Sequence, residues 1–196
     1  MERKSRIVKD VCKNGRWLRT VSVNGIRFTT RAGAYYMEMM RRCNTSLQIG
    51  KYDTYKGCSS EFKDFQDFAG WATKQVYYGL GQLDKDLLVK GNKLYSKRTC
   101  LFIPTGLNNL LTKCNKARGD LPIGVHLDEK RGYKVACADG SGSKTYLGYY
   151  QDAETAFSVY KTYKESIIKQ QANKWRDQID PRAYDALMNY EVEITD

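Results

Sequence analysis

A chain of 196 residues has room for one ordinary domain or two small ones. Its hydrophobic content of 41% and aromatic content of 12% exclude a disordered basic tail. Lys and Arg number 33 against 22 Asp and Glu, a net charge of +11, which favours polyanionic partners and speeds encounter with them.

Residues 5–30 read as β-structure. Asn14-Gly15 and Asn24-Gly25 are preferred dipeptides of two-residue hairpin turns, where both central positions need positive φ. Between them, Arg16 to Val23 alternates imperfectly, as a half-buried strand does. Arg16, Arg19, Arg27 and Arg31 give this small sheet a basic surface, either a solvated outer face or a phosphate contact.

Residues 31–118 read as mostly helical and aromatic. Ala34 to Arg42 carries helix formers and an apolar face, with Arg41-Arg42 suited to its C-terminal end. From Ser59 to Lys74 a second helix is expected, capped by Ser59 or Ser60. Phe62, Phe65, Phe68 and Trp71 recur every three residues along it, and such a stripe is read as core packing.

Leu83–Ser96 follows and then Thr99–Pro104, a stretch in which two apolar-rich strands flank a Lys90-Gly91-Asn92-Lys93 turn. Leu107-Asn108-Asn109-Leu110-Leu111 reads as a short helix. A β-hairpin leading into a helix is the layout of a compact metal-dependent nuclease site. Asp84 and Asp86 lie two residues apart, so a regular strand would point both to one face. Two carboxylates on one face can hold a hard cation such as Mg²⁺, or pair with Lys85, Lys90 or Lys93.

From Leu121 the chain reads as three strands and a long helix. Leu-Pro-Ile-Gly-Val-His opens the first strand, Tyr133–Ala138 forms the second, and Asp139-Gly140-Ser141-Gly142 turns into Lys144–Tyr149. Asp152 is an N-cap for a helix to about Trp175, on which Ala153, Ala156, Phe157, Tyr160, Tyr163 and Ile167 share one face. Asp180-Pro181 is expected to end that helix, and Tyr184 to Tyr190 forms a last short one before an acidic end.

The charge divides unevenly. Residues 1–42 hold 11 basic and 3 acidic groups, residues 43–119 hold 12 and 6, and residues 120–196 hold 10 and 13. The electrostatic grip on phosphate is therefore expected in the first 119 residues. The six cysteines (Cys12, Cys43, Cys58, Cys100, Cys114, Cys137) include no C-x-x-C pair and read as buried thiols of a reducing compartment. Cys43 and Cys58 remain open as thiols that converge with another. The start, MERKSRIVKD, has no apolar segment, and no apolar run reaches the length of a membrane span. A cytoplasmic protein without a membrane partner is expected.

Residues 35–110 resemble a family of phage-encoded proteins described as HNH homing-endonuclease-like. The resemblance rests on Met40-Arg41-Arg42-Cys43, Tyr55-Lys56-Gly57-Cys58, the Phe62 to Trp71 aromatics, LDKDLLVKGNKLYS at 83–96, TCLFIP at 99–104 and LNNLL at 107–111. It implies a phage or prophage origin, host-cell cytoplasm as the location, and a ββα core of the His-Me finger type. Asp84, Asp86 and Asn92 become the candidate catalytic residues, Asp84 and Asp86 the metal ligands, and Mg²⁺ the cofactor of an active enzyme. The chain departs from the pattern in one respect. The mechanism needs a histidine to activate water beside a metal, and the only one, His126, lies outside this run.

Residues 121–172 resemble the Apetala/ethylene-response-factor type of DNA-binding domain. The matching residues are Gly124-Val125, Ala136, Tyr146-Leu147-Gly148, Ala153, Ala156 and Tyr160. The resemblance implies a sheet lying in the major groove, with His126, Lys130, Arg131, Lys134, Lys144 and Tyr146 as DNA contacts. Lysines stand in most places where that family has arginines, and Lys grips phosphate better than it discriminates guanine.

The expectation is an α+β protein with an HNH-like region at 1–118, a DNA-binding domain at 119–176 and an acidic tail at 177–196. Its expected function is binding of double-stranded DNA, the nuclease part having lost catalysis. Two alternatives stand beside it: an active Mg²⁺-dependent homing-type endonuclease, and a protein-interaction module that inhibits a host enzyme.

Overall fold

The computed structural model describes residues 6–44, 46, 55–112, 120–140 and 142–194. Cys114 and Ser141 lie outside the described residues. The protein is α+β, with five helices and several small sheets among the described residues. The chain divides into two compact units, Met1–Ile103 and Pro104–Asp196.

In the first unit, Asn14 and Gly15 (φ 51° and 73°) turn strand β2 (Cys12–Lys13) into β3 (Arg16–Trp17). Asn24 and Gly25 (φ 50° and 76°) turn β4 (Thr20–Val23) into β5 (Ile26–Thr30). Asn tolerates the left-handed region and Gly enters it without strain, so both dipeptides close two-residue hairpins. The Arg16–Val23 strand is thus broken at Leu18-Arg19. Strand β1 (Ile7–Val8) adds in parallel to β5.

Thr30 couples this sheet to helix α1 (Arg31–Cys43). Its hydroxyl oxygen accepts from the Gly33 N–H at 3.2 Å as the helix cap, while the hydroxyl donates to the Leu18 carbonyl at 2.7 Å. Asp10 makes a second tie, accepting from Ala32 N–H at 2.7 Å and from the Tyr78 hydroxyl at 2.6 Å.

The expected helix at 59–74 starts later than its cap residues suggested. Ser59–Ser60 form strand β6, parallel to β8 (Leu94–Tyr95), and Asp64 caps helix α2 (Phe65–Ala72) by accepting from Asp67 N–H. The side-chain amide of Gln66 brackets Trp17: its oxygen accepts from Trp17 N–H at 2.8 Å and its nitrogen donates to Trp17 O at 2.9 Å. This amide supplies the partner that β3 lacks on its open side.

Phe62, Phe68 and Trp71 of the aromatic stripe pack in the core, while Phe65 is only half-buried and meets the Tyr36 ring edge-on. Phe62, Phe68, Tyr95 and Phe102 are buried with Met39, Cys58 and Cys100, and Trp71 packs against them. Phe62 meets Phe68 edge-on at 5.1 Å, and Trp71 stacks on Phe102 at 6.0 Å, geometries that the ring quadrupoles favour.

Strand β7 (Gln82–Asp84) pairs antiparallel with β9 (Leu101–Ile103), with Leu83 opposite Phe102. The Lys90–Lys93 turn therefore lies in the connection from β7 to β8, two strands that pair with other partners.

The second unit begins with helix α3 (Thr105–Leu110). Strands β10 (Val125–Asp128), β11 (Gly132–Ala138) and β12 (Lys144–Tyr150) form an antiparallel sheet in that order. Helix α4 (Ala153–Trp175), capped by Asp152, covers one face. Val125, Val135, Cys137, Ala156, Phe157 and Tyr160 are buried together there. Asp180 caps the last helix, α5 (Pro181–Met188), so Pro181 starts that helix at a position where its missing N–H costs nothing. The chain end returns to α4, where Glu165 accepts from Val192 N–H and Lys161 donates to Val192 O.

Candidate nucleic-acid interface

The uncovered face of the β10–β12 sheet is set by register. His126 stands opposite Lys134, which stands opposite Tyr149; Ala136 faces Tyr146, and Ala138 faces Lys144. Alternation along β11 places Lys134, Ala136 and Ala138 on the face opposite the buried Val135 and Cys137. Along β12 alternation alone would separate Tyr146 from Tyr149. The register shift opposite Val135 and Ala136 inserts one residue into β12, and a bulge of this kind brings both tyrosines to one face. Their rings meet edge-on at 5.7 Å.

Cations frame these rings. The Lys134 ammonium lies 5.9 Å from the Tyr146 ring centre, and the Arg131 guanidinium lies 5.5 Å from that of Tyr149. Tyr146 is 55% exposed, and His126, Lys130, Arg131, Lys134 and Lys144 are exposed as well. Asp128 shapes the β10–β11 turn that carries Lys130 and Arg131. Its Oδ1 accepts both of their backbone N–H groups at 3.1 Å, and its Oδ2 accepts from the Tyr149 hydroxyl. The Lys130 N–H, then the Tyr149 hydroxyl, hold the Asp128 carboxyl below its usual range. Asp128 thus acts as the turn's scaffold, oriented toward its own backbone.

All six sheet residues expected to contact DNA belong to this exposed face or its adjoining turn. Tyr149 joins them, and sequence reasoning passed over it because strict alternation puts it with the core. The one available signal was Gly148, a residue that weakens regular strands and marks bulges.

Asp84, Asp86 and Asn92 occupy one loop in the first unit. Asp84 ends β7 and is buried; Asp86 lies beyond the strand with its side chain half exposed. The Asp84 Oδ1 accepts from Asp86 N–H at 3.0 Å and Leu87 N–H at 2.7 Å, turning the chain away from the strand. Burial first, then the Asp86 carboxylate, push the Asp84 carboxyl up to about 6. The buried Lys85 ammonium donates to Asp86 Oδ2 at 3.2 Å and to Asn92 O at 2.7 Å. Asn92 donates to Lys85 O at 2.6 Å and Leu94 O at 2.7 Å, and accepts from Leu94 N–H at 3.0 Å.

The loop therefore brings the two carboxylates together and uses Asn92 as a clasp. Mg²⁺ is commonly held by one or two carboxylates with water completing the shell. Among the described residues, no group of three or more His, Cys, Asp or Glu side chains is placed to hold a metal ion. His126 belongs to the second unit.

Cys43 and Cys58 pack in one core cluster, where burial and then the neighbouring Cys58 push the Cys43 thiol up to about 11. Among the described residues no helix is long and apolar enough to cross a membrane. No protein-family model, curated protein or solved structure matches the chain.

Proposed function

We propose that the protein binds double-stranded DNA, using the open face of the β10–β12 sheet in a groove and the basic first unit against the phosphates. One observation carries this reading: His126, Lys134, Lys144, Tyr146 and Tyr149 stand on a single uncovered face, with Lys130 and Arg131 in the adjoining turn. A major groove about 12 Å wide admits a two-stranded ribbon, and sheets that read DNA lay strands of an exposed face into a groove. Four cations and two tyrosines, with Asp128 turned to its own loop and Glu129 exposed in the same turn, suit phosphate and sugar contact, with modest base discrimination. The reading includes a phage-type origin, a relationship of residues 35–110 to HNH-type nucleases, and a cytoplasmic setting.

Fluorescence anisotropy with a labelled duplex at several salt concentrations tests it. Affinity is expected to fall steeply with salt, because each neutralised phosphate releases counterions. Salt-independent or absent DNA binding sinks the proposal and favours a module that meets an acidic protein surface.

The Asp84–Asp86 pair supports a second reading, a Mg²⁺-dependent endonuclease. Plasmid cleavage in Mg²⁺ that disappears in Asp84→Ala and Asp86→Ala would establish it. Intact plasmid with every divalent metal tried leaves DNA binding without cutting.

A further inference from the structure

The β4–β5 hairpin ends in an apolar pair that the first unit leaves uncovered. Val23 and Ile26 flank the Asn24-Gly25 turn directly opposite one another, and they are 54% and 52% exposed. Alternation puts them on the same face as Val21 and Phe28, which are only partly exposed at the hairpin's base. The strip thus begins half-covered and runs out to a bare tip. A cross-strand aliphatic pair steadies its own hairpin by about 0.2–1 kcal/mol, which a polar β-branched pair would also do without exposing hydrocarbon.

What surrounds the tip decides what meets it. Arg27 lies one residue behind Ile26 and Arg6 leads into β1 beside β5; both are exposed, as are Lys9 and Arg19 at the base of this sheet and Lys13 and Arg16 on the separate β2–β3 hairpin. Between residues 6 and 30 the one acidic side chain is Asp10, and both of its oxygens are engaged by Ala32 N–H and the Tyr78 hydroxyl. An apolar tip on a sheet whose exposed charged side chains are all basic is a poor surface for a second copy of the same chain, since the cations would repel. It complements a polyanion with an apolar interior, which is a stacked DNA duplex. Proteins that enter the minor groove insert apolar side chains such as Ile between base steps and bend the duplex by roughly 20–90°.

We infer that the β4–β5 hairpin is a DNA-bending wedge, with Ile26 and Val23 entering a base step while Arg27 and its neighbours hold the flanking phosphates. This rests on the DNA-binding reading and adds a separate activity, deformation of the duplex. A two-residue turn is narrow enough to approach a groove about 6 Å wide. Flexible pyrimidine–purine steps are the expected points of entry.

The experiment measures binding and bending independently on the full chain. Anisotropy reports affinity for a random-sequence duplex. Ligase-catalysed ring closure of a fragment shorter than the persistence length, about 150 base pairs, reports bending wherever the protein binds. Wild-type protein is expected to accelerate ring closure more than about tenfold. The double variant Val23→Thr, Ile26→Thr keeps β-propensity and is expected to bind within roughly tenfold of wild type without that acceleration; Ile26→Phe is expected to retain it, Phe being a wedge residue itself. Wild-type binding without faster ring closure, or equal acceleration by the double variant, overturns the wedge alone. A wild-type dimer that the double variant converts to monomer also overturns it, assigning the tip to self-association. No duplex binding at any salt overturns both the wedge and the reading beneath it.

Discussion

Lys85 and Asn92 hold each other through two reciprocal hydrogen bonds: the Asn92 amide donates to the Lys85 carbonyl at 2.6 Å, and the Lys85 ammonium donates to the Asn92 carbonyl at 2.7 Å. The six residues between them are closed into a loop by this pair, and Asn92 also bonds both backbone groups of Leu94. Asn92→Ala leaves the Lys85 carbonyl and the Leu94 N–H without their side-chain partner. A stability loss of about 1–3 kcal/mol is expected, read as a lower urea midpoint. Affinity of the folded variant for DNA should stay within about twofold (~0.4 kcal/mol), because the Asn92 side chain is spent on its own loop. A large loss of affinity with unchanged stability would instead place Asn92 against the ligand.

Asp84 gives the stability a pH dependence. Its carboxyl titrates near 6 in the folded protein, against about 3.9 in an unfolded chain. Folding therefore favours its protonated form. The stability this contributes is complete below about pH 4 and is lost as pH rises through 6. Asp84→Asn keeps the oxygen that accepts from Asp86 and Leu87 N–H while removing the charge. Relative to the wild type, that variant should gain on the order of 2–3 kcal/mol between pH 4 and pH 7. If the carboxylate pair holds Mg²⁺, the cation offsets the same penalty, so Mg²⁺ raises the wild-type melting temperature at pH 7 and leaves the Asp84→Asn variant unmoved. Parallel stability profiles for the two proteins would show that Asp84 is not held protonated.

The legible parts of this chain are those whose cause is local. Asn14-Gly15 and Asn24-Gly25 encode their turns in two side chains, and Asp152 caps its helix within one turn. What sequence pattern hides is the choice of partner. Ser59-Ser60 looks like a helix cap, but parallel pairing with Leu94-Tyr95 claims it, and Asp64 takes over the capping. Leu83 packs opposite Phe102, across the whole intervening loop, and no periodicity announces a pairing at that distance. Lys134 was legible on the sheet face because it alternates with Val135 and Cys137. Tyr149 was not, because a single inserted residue in β12 reverses parity for everything beyond it.

Gly124 and Gly142 separate backbone strain from steric exclusion. Both lie at positive φ, 79° and 100°. A Cβ on Gly124 would fall 2.0 Å from the Tyr160 ring, whereas one on Gly142 meets nothing within 4 Å. Gly142→Ala should therefore cost only the conformational penalty, roughly 1–2 kcal/mol. Gly124→Ala adds displacement of a core aromatic packed under the sheet, and a loss exceeding about 3 kcal/mol is expected. Thermal unfolding of the two variants, compared directly, checks the ordering; equal losses would mean that Tyr160 moves aside freely.

Charge and aromatic surface on the sheet face should separate in their salt dependence. Lys134 and Lys144 project from adjacent strands, and each phosphate contact contributes about 0.9 to the slope of log affinity against log salt. Replacing both with Ala should flatten that slope by about 1.8 if each holds one phosphate. Tyr149→Ala removes no charge, but it removes the ring that Arg131 and Tyr146 pack against. It should weaken binding at every salt concentration while leaving the slope unchanged. The contrast is sharper than either variant alone, because general unfolding of the sheet would depress both quantities together. If the double lysine variant keeps the wild-type slope, Lys134 and Lys144 do not lie against phosphates, and Lys130, Arg131 and the basic first unit must supply the electrostatic grip.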